Sequence, residues 1–217
     1  IKNKAERDTT IKGEKATWEE ELTSWTHEKD PYSIDMIKDS KAMHPREMLR
    51  AIENALPKNS IVSTDIGNIC SVSNSYLRFD EPRSMLAAMS FGNCGYAFPV
   101  AVGAKIASPN RPVFAYVGDG AWGISLNELL TCAREKIGVT VILFNNGQWG
   151  AEKKNHVDFY SRRYQGVELI NPSWAAVAKS FGCEGVTVDK VGDIGAAIQA
   201  AVKNQAEGKT TVIEMMV

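Results

Sequence analysis

From residue 44 onward, short apolar runs alternate with stretches whose apolar residues recur every three or four positions. Six runs are too short for helices and read as strands: Ser60–Thr64, Ser84–Ala88, Val113–Val117, Val139–Phe144, Gly185–Asp189 and Thr210–Met215. Helical patterns lie between them. His44-Pro45 opens the first, with Met48, Leu49, Ile52, Ala55 and Leu56 on one face and Pro57 as its stop. Others cover Ser71–Leu77, the small-residue-rich Ala97–Ile106, Leu126–Arg134, Pro172–Phe181 and Ile194–Asn204. Alternation of this kind predicts an α/β domain with a mainly parallel, roughly six-stranded sheet and helices on both faces.

The polar segments fall in a regular place, just after the apolar runs. Asp65-Ile66-Gly67-Asn68 follows the first run, Met89 to Gly95 the second, Gly118-Asp119-Gly120 the third and Asn145-Asn146-Gly147-Gln148 the fourth. In a parallel sheet these loops share one edge, the edge where open α/β sheets bind ligands. Trp149 to Tyr160 is polar and aromatic and reads as a long loop closing over that edge. Lys153, Lys154, Arg162 and Arg163 offer cations to an anionic substrate there. His156 reads as a solvated histidine of the same loop.

Residues 1–40 depart from the pattern. They are charged and carry Trp18, Leu22 and Trp25 at helical spacing, with a stop at Lys29-Asp30-Pro31-Tyr32. We read them as an arm or linker from a preceding domain, and residues 41–217 as the domain proper.

Composition narrows the partners. The formal net charge of −1 gives no electrostatic footprint for nucleic acid. No apolar run approaches the roughly 20 residues of a membrane span. Cys70, Cys94, Cys132 and Cys183 form no CxxC pair and read as reduced thiols packed as small apolar groups, as in a cytoplasmic protein. The 217 residues suffice to bury roughly 70% of the unfolded surface. The chain opens on Ile1, from which a fragment or processed product is expected.

Gly118-Asp119-Gly120-Ala121-Trp122-Gly123 matches GxGxxG between a strand and a helix, so a dinucleotide site comes first to mind. Its companion acid, expected about 20 residues on at the end of the next strand, is replaced by Asn145 and Asn146. Asp119 would also face the pyrophosphate, a repulsive arrangement unless a divalent cation lies between. With a cation the residue types agree: Asp119 and an Asn amide oxygen are hard ligands suited to Mg2+, and glycine amides at a helix start donate to phosphates. A ligand-free crossover with turn glycines is the other reading of the same spacing.

Gly-Asp-Gly followed by Asn-Asn resembles the motif of the thiamine diphosphate-dependent superfamily that includes acetolactate synthase and pyruvate decarboxylase. The resemblance implies thiamine diphosphate and Mg2+ as cofactors, with Asp119, Asn146 and the Gln148 backbone carbonyl as metal ligands. Gly118, Gly120, Ala121 and Gly150 are then expected beside the diphosphate, as are Asp65, Gly67 and Asn68 of the first loop. Gly92-Asn93-Cys94-Gly95 through Pro99, with Ala101-Val102-Gly103-Ala104 after it, is similar to the segment whose methionine wedges under the bent cofactor. This places Gly92 and Cys94 on the aminopyrimidine side, with Cys94 smaller than the usual wedge.

Phe144 to Asn155, with the tryptophan-bearing arm upstream, is similar to an acyltransferase branch of that superfamily. This implies sulfoacetaldehyde and phosphate as substrates, acetyl phosphate and sulfite as products, and Trp149, Lys153 and Lys154 facing the substrate. The family's alternatives are acetolactate synthase or glyoxylate carboligase chemistry, or a stand-alone diphosphate-binding subunit. The activating glutamate of the family sits on a pyrimidine-binding domain contributed by a partner subunit. Nothing in this chain resembles that domain, so no catalytic side chain is assigned here. A homo-oligomer, dimer or tetramer, is expected of the complete enzyme, and this piece alone is expected to turn over little substrate.

Overall fold

The structure, a computed structural model, describes residues 43–217. The expected arm at 1–40 lies outside the described residues. Helix α1 (Pro45–Ala55) starts as its sequence predicts, with Pro at the first helical position and the His44 Nδ1 accepting from Arg46 N. The order then runs β1 (Ile61–Thr64), α2 (Asn68–Ser73), β2 (Met85–Ala87), α3 (Ala97–Ala107), β3 (Val113–Gly118), α4 (Asp119–Ser125) and α5 (Glu128–Glu135). It ends with β4 (Thr140–Asn145), α6 (Gly150–Phe159), α7 (Trp174–Ser180), β5 (Glu184–Val188), α8 (Ile194–Ala206) and β6 (Thr211–Met216).

The six strands form one sheet in the order β2-β1-β3-β4-β6-β5, and every pairing is parallel. The expected mainly parallel sheet is thus wholly parallel. The central strands β3 and β4 are buried on both faces, which is why they read as continuous apolar runs rather than alternating ones. Val113, Ala115, Val117, Val141 and Leu143 face one layer, made by α3, α5 and α7 through Phe98, Leu129, Cys132 and Trp174. Phe114, Tyr116, Ile142, Phe144 and Ile213 face the other, made by α1 and α8 through Met48, Ile52, Ile194 and Ile198. Among the described residues no helix is long and apolar enough to cross a membrane.

Three expected elements change. The helix foreseen at 71–77 instead starts at Asn68, directly after the Gly67 turn. The Gly118–Gly123 loop is cut short, because α4 begins at Asp119. The lid-like loop at 149–160 is the helix α6, and none of its residues is buried. Its apolar residues follow no stripe, so the periodicity that reveals other helices is missing.

A side chain on α8 holds two strands in register. Gln205 is 4% exposed; its Oε1 accepts from Val113 N at 2.9 Å, and its Nε2 donates to Val113 O at 2.9 Å and Thr140 Oγ1 at 2.6 Å. Gln205→Ala leaves the Val113 amide and carbonyl buried without these partners, so it is expected to cost roughly 2–3 kcal/mol. Urea denaturation of the two proteins measures the difference. A midpoint unchanged in the variant would mean that water replaces the amide at no cost.

Candidate functional site

The strand order reverses at β1: the chain goes to β2 on one side and returns to β3 on the other. A crevice opens at such a switch point, beyond the carboxyl ends of the strands. Gly118 pairs with Phe144, so Asp119 and Asn145 come next on the two neighbouring strand ends. Asp119 is 3% exposed. Its Oδ1 accepts from Gly120 N at 3.1 Å, and its Oδ2 from Gly147 N at 2.8 Å and Asn171 Nδ2 at 2.6 Å. Burial pushes the Asp119 carboxyl above its ordinary range, and these three donors oppose the shift.

The loops close into a ring around the crevice. Asp65, fully buried, accepts from Ile66 N and Gly95 N on Oδ1, each at 3.0 Å, and from Ala97 N on Oδ2 at 2.9 Å. It thereby ties the loop after β1 to the turn that starts α3, and burial raises its pKa against the pull of these amides. The turn in its place meets α4: Gly95 has φ +81°, and a Cβ on it would come within 2.9 Å of Ile124 Cγ2. Glycine is required there for both reasons. Gly147 N joins α4 to the loop after β4. A Cβ on Gly150 would lie 3.2 Å from Asn68 Nδ2 and 3.4 Å from Asn146 Nδ2, which brings the loops after β4 and β1 together.

Gln148 has a specific orientation. It faces Glu168 in an antiparallel bridge closed by its neighbours, Trp149 N to Val167 O and Leu169 N to Gly147 O, both 2.8 Å. That register turns the Gln148 N–H and carbonyl away from residues 167–169. The N–H donates to Asn146 Oδ1 at 3.2 Å. Among the described residues no donor reaches the carbonyl.

The structure therefore gathers Asn68, Asp119, Gly120, Asn146, Gln148 and Gly150, with Gly118 at the strand exit, Ala121 in the first turn of α4 and Gly67 just before Asn68. Asp65 belongs to the same ring, but its oxygens serve main-chain amides of the loops. Gly92 lies on the exposed loop after β2, where a Cβ would be 3.8 Å from Ile66 Cγ1. Cys94 is half-buried against the core layer of α3, and burial, with the charges of Asp65 and Glu152, raises its thiol pKa. It is a neutral packing group. Cys132 and Cys183 are buried thiols pushed up to about 11, in keeping with the apolar packing expected of them.

The lysines expected to bind an anionic substrate fare differently. Lys153 Nζ donates to Gln148 Oε1 at 2.7 Å and Glu168 Oε1 at 2.6 Å, and it lies over the Tyr164 ring. Lys154 pairs with Asp158 at 2.6 Å. Both charges are thus matched by carboxylates, and an anionic substrate would have to displace these partners. Arg162 and Arg163 are exposed beyond α6. Trp149 packs its indole on Gly120, where an added Cβ would be 2.8 Å from Cε3. His156 is not solvated as expected: it is half-buried edge-on to Tyr160, and its Nδ1 is shielded without a partner among the described residues.

Two residues of the site, Asn171 and Glu214, escaped the sequence reading. Asn171 bonds Asp119 and also donates to Asn145 Oδ1 at 2.9 Å; Asn145 Nδ2 donates to Glu214 Oε1 at 2.9 Å. Glu214, a single carboxylate in the apolar run of β6, was the available signal. Asn171 carried none, being one more polar residue in a turn before a helix.

Comparison with known proteins decides the family. A family model described as thiamine pyrophosphate enzyme, C-terminal TPP binding domain, matches residues 65–215. The chain belongs to this family. The match covers all four loops of the ring. The chain is 56% identical over 220 residues to a sulfoacetaldehyde acetyltransferase of Castellaniella defragrans, covering 99% of this chain and 37% of that protein. It is 56% identical over 223 residues to a sulfoacetaldehyde acetyltransferase of Alcaligenes xylosoxydans xylosoxydans, covering 98% and 37%. The domain thus spans about 37% of the length of these relatives. Among solved structures, a thiamine diphosphate-dependent 4-hydroxybenzoylformate decarboxylase of Rhodococcus jostii RHA1 shares the fold, with TM-score 0.76 and 24% identity over 83% of this chain and 34% of that one.

Proposed function

We propose that this domain is the diphosphate-binding part of a sulfoacetaldehyde acetyltransferase, an enzyme converting sulfoacetaldehyde and phosphate into acetyl phosphate and sulfite. Identity of 56% across almost the whole domain to two proteins of that name is the observation that carries the reading.

In this reading Mg2+ would be held by Asp119, the Asn146 amide oxygen and the Gln148 carbonyl. The donor set fits: it is three hard oxygens with one charge, and among the described residues no donor reaches the Gln148 carbonyl. Among the described residues no group of three or more His, Cys, Asp or Glu could hold a metal. A cation at Asp119 would therefore need further oxygen ligands from the cofactor and solvent, which would couple metal binding to cofactor binding. The space in front of Gly118 is open, and a Cβ there would meet nothing within 4 Å. When bound, thiamine diphosphate supplies the carbanion chemistry that breaks and makes bonds next to a carbonyl.

The chain's own residues bind and orient. Gly120 and Ala121 stand in the first turn of α4, beside the anion. The half-buried, neutral Cys94 supports the apolar side of the site, and the Trp149 indole shields the crevice at Gly120. The sulfonate and phosphate of the substrates are met by cations of α6 and the turn beyond it, with Lys153 and Lys154 exchanging Glu168 and Asp158 for substrate oxygens. A pyrimidine-binding domain from a partner subunit supplies the activating glutamate, which makes the active enzyme at least a dimer.

The test is a substrate screen on the full-length protein with thiamine diphosphate, Mg2+ and phosphate. Acetyl phosphate and sulfite should form from sulfoacetaldehyde, with pyruvate and glyoxylate turned over roughly 10^4-fold more slowly, the scale on which a site built for one polar group rejects its rivals. Preference for pyruvate or glyoxylate would assign the synthase or carboligase chemistry instead.

A further inference from the structure

One face of helix α6 borders a cavity. Trp149, which caps the helix, Glu152 and His156 stand three and four residues apart, so they share that face. Residues 165–167 run opposite it, held there by the Trp149 N to Val167 O bond at 2.8 Å. The space between is about 310 Å³, lined by these three residues with Gln165, Gly166 and Val167. That is the small end of the range for ligand pockets. It adjoins the switch-point crevice: the Trp149 indole packs on Gly120, and the Cys94 thiol feels the Glu152 charge.

The polar groups of this cavity are unused within the domain. Among the described residues no donor reaches the Glu152 carboxylate. The shielded His156 Nδ1 has no acceptor near it, so a neutral imidazole carries its proton on Nε2, the open nitrogen, as a donor. The main-chain amides of Gln165 and Gly166 meet no acceptor among the described residues. Gly166 has φ +65°, the left-handed conformation at which consecutive amides can form an anion-binding concavity. A cation stands nearby: Lys153 Nζ is 5.4 Å from the centre of the Tyr164 ring, which lies 6.3 Å from that of His156. The cavity thus offers several donors and one group, Glu152, that only accepts.

Such a set fits an oxyanion that keeps a proton. Inorganic phosphate keeps one at neutral pH, whereas sulfate and sulfonates keep none. We propose that this cavity takes the phosphate that accepts the acetyl group, and that Glu152 selects phosphate over sulfate and sulfonates by accepting a hydrogen bond from its P–OH. His156 Nε2 and the Gly166 amide donate to the other phosphate oxygens. A sulfonate in the same place would set lone pairs against the carboxylate, a repulsive element that keeps the two substrates apart. The inference rests on the reading of the enzyme as one that transfers an acetyl group to phosphate.

The experiment is equilibrium dialysis of radiolabelled inorganic phosphate, and separately of radiolabelled inorganic sulfate, against the full-length protein loaded with thiamine diphosphate and Mg2+. Loading the cofactor keeps the probe out of the diphosphate site. The wild type is compared with Glu152→Gln and His156→Ala, and each is assayed for acetyl phosphate formation from sulfoacetaldehyde. Glu152 is exposed and glutamine has its shape, so the first variant keeps the fold. The wild type should hold phosphate at least roughly tenfold more tightly than sulfate, the scale of a hydrogen bond to a charged group. In Glu152→Gln phosphate should weaken and sulfate tighten, since an amide also donates, leaving the two within about threefold. The KM for phosphate should rise in step. His156→Ala should weaken both anions by roughly three- to tenfold and keep their ratio. Equal affinities in the wild type, a preference that survives Glu152→Gln, or His156→Ala without effect on either anion would each overturn the site. A preference that Glu152→Gln abolishes, in a wild type that makes no acetyl phosphate, would overturn the transferase reading and leave the selection of phosphate by Glu152 standing.

Discussion

Asp119→Ala is expected to abolish Mg2+-dependent binding of thiamine diphosphate. Asp119 is the one charged group in the proposed donor set of Asp119, Asn146 and the Gln148 carbonyl. Its loss should therefore exceed the roughly hundredfold upper range for residues that act behind a ligand. The metal-free protein should be little affected. Burial disfavours the charged carboxylate, so removing it relieves a cost while it deprives Gly147 N and Asn171 Nδ2 of an acceptor. The two effects oppose, and a thermal midpoint within a few degrees of the wild type is expected, about 2–4 °C per kcal/mol at this size. Calorimetric titration with and without Mg2+ measures the binding. Metal-dependent heat of wild-type size in the variant would place the cation elsewhere.

The largest effect on stability is expected from Glu214→Leu. Glu214 is 2% exposed and accepts five hydrogen bonds, two from main-chain amides at the start of α7 and three from Ser173, Thr187 and Asn145. Leucine has nearly the right volume but no acceptor, so Trp174 N, Ala175 N and Asn145 Nδ2 stay buried and unpaired. At about 1–3 kcal/mol for each such group, with partial relaxation, the cost is roughly 3–5 kcal/mol. That lowers the thermal midpoint by on the order of 10 °C. The damage should also reach the crevice, since Asn145 loses the contact that orients Asn171. Melting curves of the wild type and the variant decide the matter: a drop of less than about 1 kcal/mol would mean that the carboxylate's own desolvation nearly cancels its bonds.

Both effects involve contacts of different reach in the chain. Asp119 was legible because its partners in the motif are local: a strand end, two glycines and an Asn-Asn pair after the next strand. Its type, spacing and place after a buried strand suffice to suggest a cation and a diphosphate. The Lys153 and Lys154 expectation read charge correctly but not pairing. Glu168, fifteen residues from Lys153, sits opposite Gln148 only because the 147–149 and 167–169 segments meet in a bridge. His156 was misjudged for the same reason, its neighbour Tyr164 being brought near by the turn after α6.

The sequence by itself determined the class of fold and which loops share one edge of the sheet. Continuous apolar runs of five or six residues demand a sheet covered on both faces, and helical periodicity between them demands parallel crossovers; both follow from burial along one strand or one helix face. It also determined the cofactor chemistry, through Gly118-Asp119-Gly120 and Asn145-Asn146. Only the tertiary structure decided how that chemistry is held. Asn171 reaches Asp119 across 52 residues, Glu214 reaches Asn145 across 69, and Asp65 reaches Ala97 across 32. These separations carry no local periodicity, because the residues meet where strand order, not chain order, makes them neighbours. Helix α6 belongs with them: it has no buried face, so no apolar stripe records it, and its placement comes from contacts with the bridge and turn beside it.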